Sequence, residues 1–282
     1  MEQIKQDVYP YVSVNLETKP QESLGFPYLD MGFLYGYGLF ESILVKEGRP
    51  RLIRDHCTRL RRSSLMLDIN INWDQDAICE AVDVLIKKNK AKEAVLNIYL
   101  SAGNRSGLLV KKSEQKPMLL MVLRPYEKES LKDGIKLDVK QESFQRTPLD
   151  CLKTMAWMKN WLELRFSEED YDDVLLYDAD NYILETALAN LFFIKGQQVI
   201  TPKSNCVLTG VTRQFLLNNQ DKLNIEIILR PVTLSELNDF DEIFLTNALR
   251  GVVSIQHVKG YPQLKSKHLT LRIAEGYQKL IS

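Results

Sequence analysis

Leu152–Phe166 reads LKTMAWMKNWLELRF, and Asp172–Gly196 reads DDVLLYDADNYILETALANLFFIKG. In that order they predict a lysine, an amphipathic helix, a strand, a turn and a second strand that ends at Glu185. Asp178-Ala179-Asp180-Asn181 has tight-turn composition. The apolar run Leu191–Ile194 follows Asn190. A lysine and a carboxylate at the ends of neighbouring elements can hold pyridoxal phosphate. The amine takes the cofactor as a Schiff base, and the carboxylate keeps the pyridine nitrogen protonated. An ordinary lysine is a solvated surface residue. Lys153, however, lies between Cys151-Leu152 and Thr154-Met155, and a lysine in a dry setting becomes nucleophilic more readily. Lys159 falls within the helix and is read as having no matching partner. That helix is expected to bury Trp157, Trp161, Leu164 and Met158.

At 282 residues the chain suits two domains. Formal net charge is zero, which argues against a nucleic-acid partner. No stretch supplies the roughly 20 apolar residues of a membrane span, and the N-terminus MEQIKQDVYPYVSVN has no apolar signal-peptide core. Four scattered cysteines and three histidines predict reduced thiols, a cytoplasmic setting and no metal site.

Strands are expected at Tyr11–Asn15, Phe40–Lys46, Val95–Ser101, Met118–Leu123, Ile135–Lys140, Val174–Tyr177, Ile183–Glu185, Leu191–Ile194, Gln198–Thr201, Ile225–Pro231 and Glu242–Thr246. Asp55 is read as the cap of a helix to Leu67 whose apolar face includes Leu60, Leu65 and Leu67. A second helix starts at Asp74 or Asp76, a third runs from Arg213 to Gln220, and a last one ends the chain. Residues 1–123 are read as an N-terminal α/β domain, 124–132 as a linker, and 133–282 as a C-terminal α/β domain carrying Lys153. Strands and helices mix without strict alternation, which favours two sandwich-like α/β domains over one doubly wound sheet.

Five blocks together resemble the class IV aminotransferase family, the fold-type IV pyridoxal-phosphate enzymes. They are Tyr35-Gly36-Tyr37-Gly38-Leu39-Phe40-Glu41-Ser42, His56-x-x-Arg59, Lys153 with Glu185-x-x-x-x-Asn190, Gly210-Val211-Thr212-Arg213, and Leu245-Thr246-Asn247-Ala248-Leu249-Arg250-Gly251. The resemblance implies that Lys153 is the Schiff-base lysine and shuttles the substrate's Cα proton, and that Glu185 faces the pyridine nitrogen. It assigns the phosphate to Arg59, to the helix N-terminus at Gly210, Val211 and Thr212, and to Thr246, Asn247 and Ala248. Tyr35, Phe40 and Ser42 would face the substrate. The family usually has aspartate at Tyr37, and basic residues at Asn97 and Ala102. Arg105 or Arg250 would then meet a substrate carboxylate. The resemblance also implies a homodimer, with the active site between the two domains.

Lyases and transaminases of this family share the first steps and diverge once the Cα proton has been removed. Ser42 stands where the family's aminodeoxychorismate lyases usually carry threonine and branched-chain aminotransferases carry glycine. The Thr246-Asn247-Ala248 form is closer to the lyases. The expected reaction is therefore release of pyruvate and p-aminobenzoate from 4-amino-4-deoxychorismate. An amino-acid aminotransferase of the branched-chain or D-amino-acid type is the alternative, and an inactive cofactor-binding paralogue is a third reading.

Overall fold

Alternation along Gly38–Lys46 sets the first sheet. Leu39, Glu41, Ile43 and Val45 are buried on one face, whereas Phe40, Ser42 and Leu44 lie half-open on the other. The computed structural model describes residues 8–104, 116–127, 134–262, 264 and 266–282. It forms two units, one running to Lys128 and taking in Lys153–Trp157, the other comprising Glu129–Leu152 and Met158–Ser282.

In the first unit, β1 (Tyr11–Val14) and β2 (Glu17–Pro20) form a hairpin. A one-turn helix α1 (Met31–Tyr35) leads into β3 (Gly38–Lys46) and β4 (Arg49–Pro50). Helices α2 (Ile53–Met66) and α3 (Gln75–Asn89) follow, then β5 (Ala94–Ser101) and β6 (Met118–Pro125). The sheet has the order β2-β1-β6-β5-β3-β4, with antiparallel neighbours. The helices cover its buried face, α2 against β3 and α3 against β1. Asp74 caps α3 by accepting from the Ala77 N–H at 2.7 Å. Asp55 does not cap α2, because that helix starts two residues earlier at Ile53. It lies in the first turn, where its charge suits the helix dipole. Leu65 also departs from expectation and is exposed. The buried stripe of α2 is His56, Cys57, Leu60, Ser63 and Ser64, and five residues beyond Leu60 the helix has turned well past it.

The second unit begins with β7 (Ile135–Gln141), α4 (Met158–Arg165), β8 (Asp173–Tyr177), β9 (Ile183–Thr186), β10 (Asn190–Lys195) and β11 (Gln198–Pro202). It continues through α5 (Val211–Asn218), α6 (Gln220–Leu223), β12 (Glu226–Arg230), β13 (Glu242–Asn247), β14 (Gly251–Val258) and α7 (His268–Ile281). Its sheet has the order β12-β11-β10-β13-β14-β7-β8-β9. The β11–β12, β14–β7 and β7–β8 pairs are parallel and the others antiparallel. Leu137, Leu175, Leu191, Phe193, Leu245 and their neighbours form its core. The expected mixed α/β architecture on two sheets is present. Strand β14 and the short elements β2, α1 and α6 escaped the sequence reading.

Helix α4 keeps part of its expected buried side, since Leu164 packs against Val174, Leu176 and Ala187, but two of the expected core residues turn outward. Trp161 and Met158 are exposed. Glu163 is the residue turned inward, accepting from the Ser143 N–H at 2.8 Å and pairing with Lys140 at 2.8 Å. Two residues along a helix is roughly 200° around its axis, so burying Glu163 sends Trp161 to the opposite side.

Asp173 opens β8 fully buried. Its Oδ2 accepts from Thr186 Oγ1 at 2.7 Å and its Oδ1 from the Val174 N–H at 2.8 Å. Burial pushes its carboxyl up to about 6. Between the ordinary aspartate value of about 3.9 and that value, the folded chain keeps a proton that the unfolded chain has released. Stability therefore falls as pH rises through this window, by on the order of 2–3 kcal/mol for this group. Asp173→Asn should remove that loss, so urea midpoints of variant and parent should separate in the variant's favour from pH 4 to pH 7. A gap that stays constant with pH would contradict this role for Asp173.

Candidate active site residues

In the first unit, Lys153–Met155 runs antiparallel to the start of β3. The Phe40 N–H donates to Lys153 O at 2.9 Å, the Met155 N–H donates to Gly38 O at 2.9 Å, and Leu39 bridges Thr154. Gly38 permits this approach, since a Cβ there would stand 2.5 Å from Leu100 O and 2.6 Å from Met155 Sδ. The pairing brings Lys153 Nζ over two aromatic faces, 4.3 Å from the Phe40 ring centre and 4.4 Å from that of Trp157. Phe40 meets Trp157 edge-on and stacks on Tyr99. The amine is thus positioned by rigid rings on the half-open face of the sheet.

The next residue, Glu41, points to the opposite, helix-covered face. It accepts from Arg59 Nε at 2.8 Å, from Arg59 Nη2, and pairs with His56 Nδ1 at 2.6 Å. Burial pushes the Glu41 carboxyl up, but the charges and hydrogen bonds of Arg59 and His56 outweigh it and hold it at about 2. Burial in turn pushes the His56 imidazole down, against the pull of Glu41. The i, i+3 spacing of His56 and Arg59 puts both on one face of α2, where a single carboxylate fixes them. Tyr37, at the position where aspartate is usual, donates its hydroxyl to the Leu67 carbonyl at the end of α2.

In the second unit, Glu185 is the penultimate residue of β9 and almost wholly buried. It accepts from Arg146 Nη1, from Asn190 Nδ2 at 3.0 Å and from the Leu208 N–H at 3.2 Å. Burial pushes its carboxyl up, opposed by the Arg146 guanidinium. Asn190 also donates to Leu208 O at 2.9 Å, so one amide ties the carboxylate to the loop before α5. At the N-terminus of α5, a Cβ on Gly210 would stand 2.1 Å from Asn190 Oδ1, so a side chain there would displace the Asn190 amide from its partners. Among the described residues, the Thr212 and Thr246 hydroxyls are buried without a hydrogen-bond partner. Asn247 Oδ1 accepts from the Leu249 and Arg250 N–H groups at 3.2 and 2.8 Å, which forms the turn into β14. Val211 is buried in the first turn of α5, and Ala248 is half-buried in that second turn.

Of the other expected substrate residues, Ser42 lies half-buried beside Asn97, Tyr35 is exposed at the end of α1, and Arg250 is half-buried. Arg105 lies outside the described residues. Arg146 escaped the sequence reading. Its Nε donates to Glu142 at 2.7 Å, and Glu142 pairs with Lys159 at 3.1 Å, which also pairs with Asp150 at 2.8 Å. Lys159 therefore does have partners, contrary to expectation, because it reaches back over the 142–150 segment. The visible signal was an arginine four residues after Glu142, in a segment assigned to neither strand nor helix.

Arg146→Met should leave Glu185 buried without its guanidinium. Breaking a buried pair from one side costs about 3–5 kcal/mol, readable as a lowered urea midpoint. Arg146→Lys should recover only part of it, since an ammonium lacks the two-pronged fork. A loss near zero would mean that Arg146 is not what compensates Glu185.

Residues 38–258 match the family model for amino-transferase class IV. An aminodeoxychorismate lyase of Bacillus subtilis is 28% identical over 82% of this chain and 80% of its own length. A putative branched-chain-amino-acid aminotransferase of Methanocaldococcus jannaschii is 25% identical over 82% of each chain. Among solved structures, the branched-chain amino acid aminotransferase of Escherichia coli superposes with a TM-score of 0.88 at 22% identity, covering 97% of this chain and 95% of that one. Most of the chain, including the segments that carry Lys153, Glu185 and the Gly210 helix start, falls within the family match, and the chain belongs to the amino-transferase class IV family.

Proposed function

We propose that this enzyme binds pyridoxal phosphate through Lys153 and releases pyruvate and p-aminobenzoate from 4-amino-4-deoxychorismate. The cofactor reading is supported by the chemistry of the second unit's residues. The Thr212 and Thr246 hydroxyls, each buried without a hydrogen-bond partner among the described residues, and a helix N-terminus opened by Gly210 are donors of the kind that a phosphate ester requires. Glu185 is a buried carboxylate of the kind that retains a proton on a pyridine nitrogen. The residues thus fit the group.

When bound, pyridoxal phosphate withdraws electrons from the carbon that bears the substrate's amine and so acidifies its C–H bond. Lys153 Nζ has two tasks: it holds the cofactor's aldehyde carbon before substrate arrives, then takes the proton from the substrate carbon. The Phe40 and Trp157 rings limit where that amine can swing. Glu185 keeps the ring nitrogen positive, and Arg146 and Asn190 keep Glu185 in place. Thr212, Thr246 and the first N–H groups of α5 take the phosphate. Arg59 adds its charge, oriented by Glu41.

The observation that favours the lyase is the hydroxyl of Ser42. Asn97 Nδ2 donates to Ser42 Oγ at 2.9 Å, so the oxygen is held and its own proton is directed elsewhere. A departing pyruvate fragment builds negative charge on oxygen, and a positioned O–H stabilises it. Glycine offers no such group. The aminotransferase is the second reading, favoured by the comparable identity to the Methanocaldococcus jannaschii relative.

Substrate assays separate these readings. Purified protein is incubated with 4-amino-4-deoxychorismate, and separately with branched-chain or D-amino acids plus 2-oxoglutarate. The lyase predicts pyruvate and p-aminobenzoate in the first mixture, and Ser42→Gly should cut that rate by roughly a hundredfold. Lys153→Ala should abolish turnover and the visible band of lysine-bound cofactor. Glutamate formation in the second mixture with no pyruvate in the first would establish the aminotransferase. A cofactor band in the parent with no product in either mixture would favour the inactive cofactor-binding paralogue.

Assembly is tested separately. Phe26, Tyr28, Phe33 and Tyr35 are 66%, 64%, 56% and 58% exposed within one ten-residue stretch. Phe26 and Phe33 meet edge-on; exposed aromatic side chains gathered in so short a stretch support an interaction surface, and a second copy of this chain is the proposed occupant. Light scattering should give twice the chain mass at micromolar concentration, and Tyr28→Asp with Phe33→Asp should halve it. A parent that scatters as one chain would refute the dimer.

A further inference from the structure

On the half-open face of the first sheet, three polar side chains from three adjacent strands form a chain of hydrogen bonds. Ser42 on β3 is paired with Asn97 on β5, and Arg124 on β6 stands across from Val95, one step diagonal to Asn97. Arg124 Nε donates to Asn97 Oδ1 at 2.9 Å. Asn97 Nδ2 donates to Ser42 Oγ at 2.9 Å and toward Glu41 O at 3.4 Å. A guanidinium can only donate, so its bond fixes which end of the amide is the oxygen. The amide nitrogen must then face Ser42, and Ser42 keeps its O–H to donate. Asn97 is 4% exposed, so this orientation is locked by its surroundings. Arg124 is exposed, and its bond to Asn97 uses one of the five N–H groups of a guanidinium.

The chain is not isolated from the proposed chemistry. Phe40 lies two residues before Ser42 on the same face, and Lys153 Nζ sits 4.3 Å from the centre of its ring. A planar cation at one end of a buried amide and a directed hydroxyl at the other make a row of donors. The complementary ligand is an anion with paired acceptors, and a carboxylate matches a guanidinium in charge and fork geometry. We propose that Arg124 binds a carboxylate of the amino substrate, with Asn97 as the residue that positions it and Ser42 as the second donor. This deepens the functional reading above and rests on it in so far as this face meets the amino substrate.

The test uses the cofactor-loaded protein and ligands that do not turn over. Calorimetric titrations with p-aminobenzoate, 4-methylpentanoate and aniline are compared between the parent and Arg124→Gln. p-Aminobenzoate carries the ring and the carboxylate, aniline the ring alone, and 4-methylpentanoate an aliphatic carboxylate. The expected result is a Kd for p-aminobenzoate raised roughly tenfold to a hundredfold in the variant, with aniline unaffected and the cofactor band unchanged. Arg124→Lys should be intermediate, because it keeps the charge and loses the Nε bond to Asn97. Asn97→Ala should also weaken p-aminobenzoate, through a freed Arg124. If 4-methylpentanoate shows the loss and p-aminobenzoate does not, the carboxylate role of Arg124 stands and the lyase reading falls. Equal carboxylate affinity in parent and variant, an equal fall for aniline, or no carboxylate binding to the parent would overturn the proposal.

Discussion

A carboxylate taken out of water must be met by donors, and Glu185 imposes that demand on the whole second unit. Its partners come from three places: Arg146 from the segment after β7, Asn190 from the start of β10, and the Leu208 N–H from the loop before α5. The same Asn190 holds the Leu208 carbonyl and packs against Gly210. The helix start proposed to take a phosphate is therefore indexed to the carboxylate proposed to take a pyridine nitrogen. One polar network sets both positions, and the outer chain of Glu142, Lys159 and Asp150 anchors Arg146 in turn.

The first unit solves a different problem with the period of a strand. Neighbouring residues on β3 face opposite ways. Phe40 can therefore serve the lysine while Glu41, one residue on, organises His56 and Arg59 on the helix side. A buried charge in mid-strand is costly unless fully paired, and here two donors on one turn of α2 pair it. The next residue, Ser42, returns to the open face and enters the Asn97–Arg124 chain.

Much of this was legible in the residues. Strong alternation and apolar runs placed the long strands, because two-residue periodicity survives whatever the strands pack against. The order of Lys153, Glu185, Asn190 and Gly210 pointed to the family, because each of these residue types can be read locally. The features that escaped depended on partners distant in sequence. β14 has the mixed pattern VVSIQHV and is made a strand by pairing with β13 and β7. Trp161 was read as core because it is large and apolar, whereas the burial of Glu163, held by Lys140 and Ser143, decides the face of α4. Arg146 and Glu41 carry charges that composition assigns to solvent, and only the fold shows their partners. Arg124 is the clearest case, because its meaning lies in an amide 27 residues away on the adjacent strand.

The five residues from Lys153 to Trp157 leave the second unit, complete the first, and give the chain back. Neither unit is then a continuous stretch of polypeptide. During synthesis the first sheet can form once β6 has emerged, yet the segment that runs beside Gly38 and Phe40 arrives some thirty residues later. A truncated product ending before Lys153 would own all six strands of that sheet and lack the lysine proposed to hold the cofactor. Excising the first unit as an independent fragment would likewise require a graft of this segment, so the placing of one lysine beside β3 depends on chain that belongs to both units.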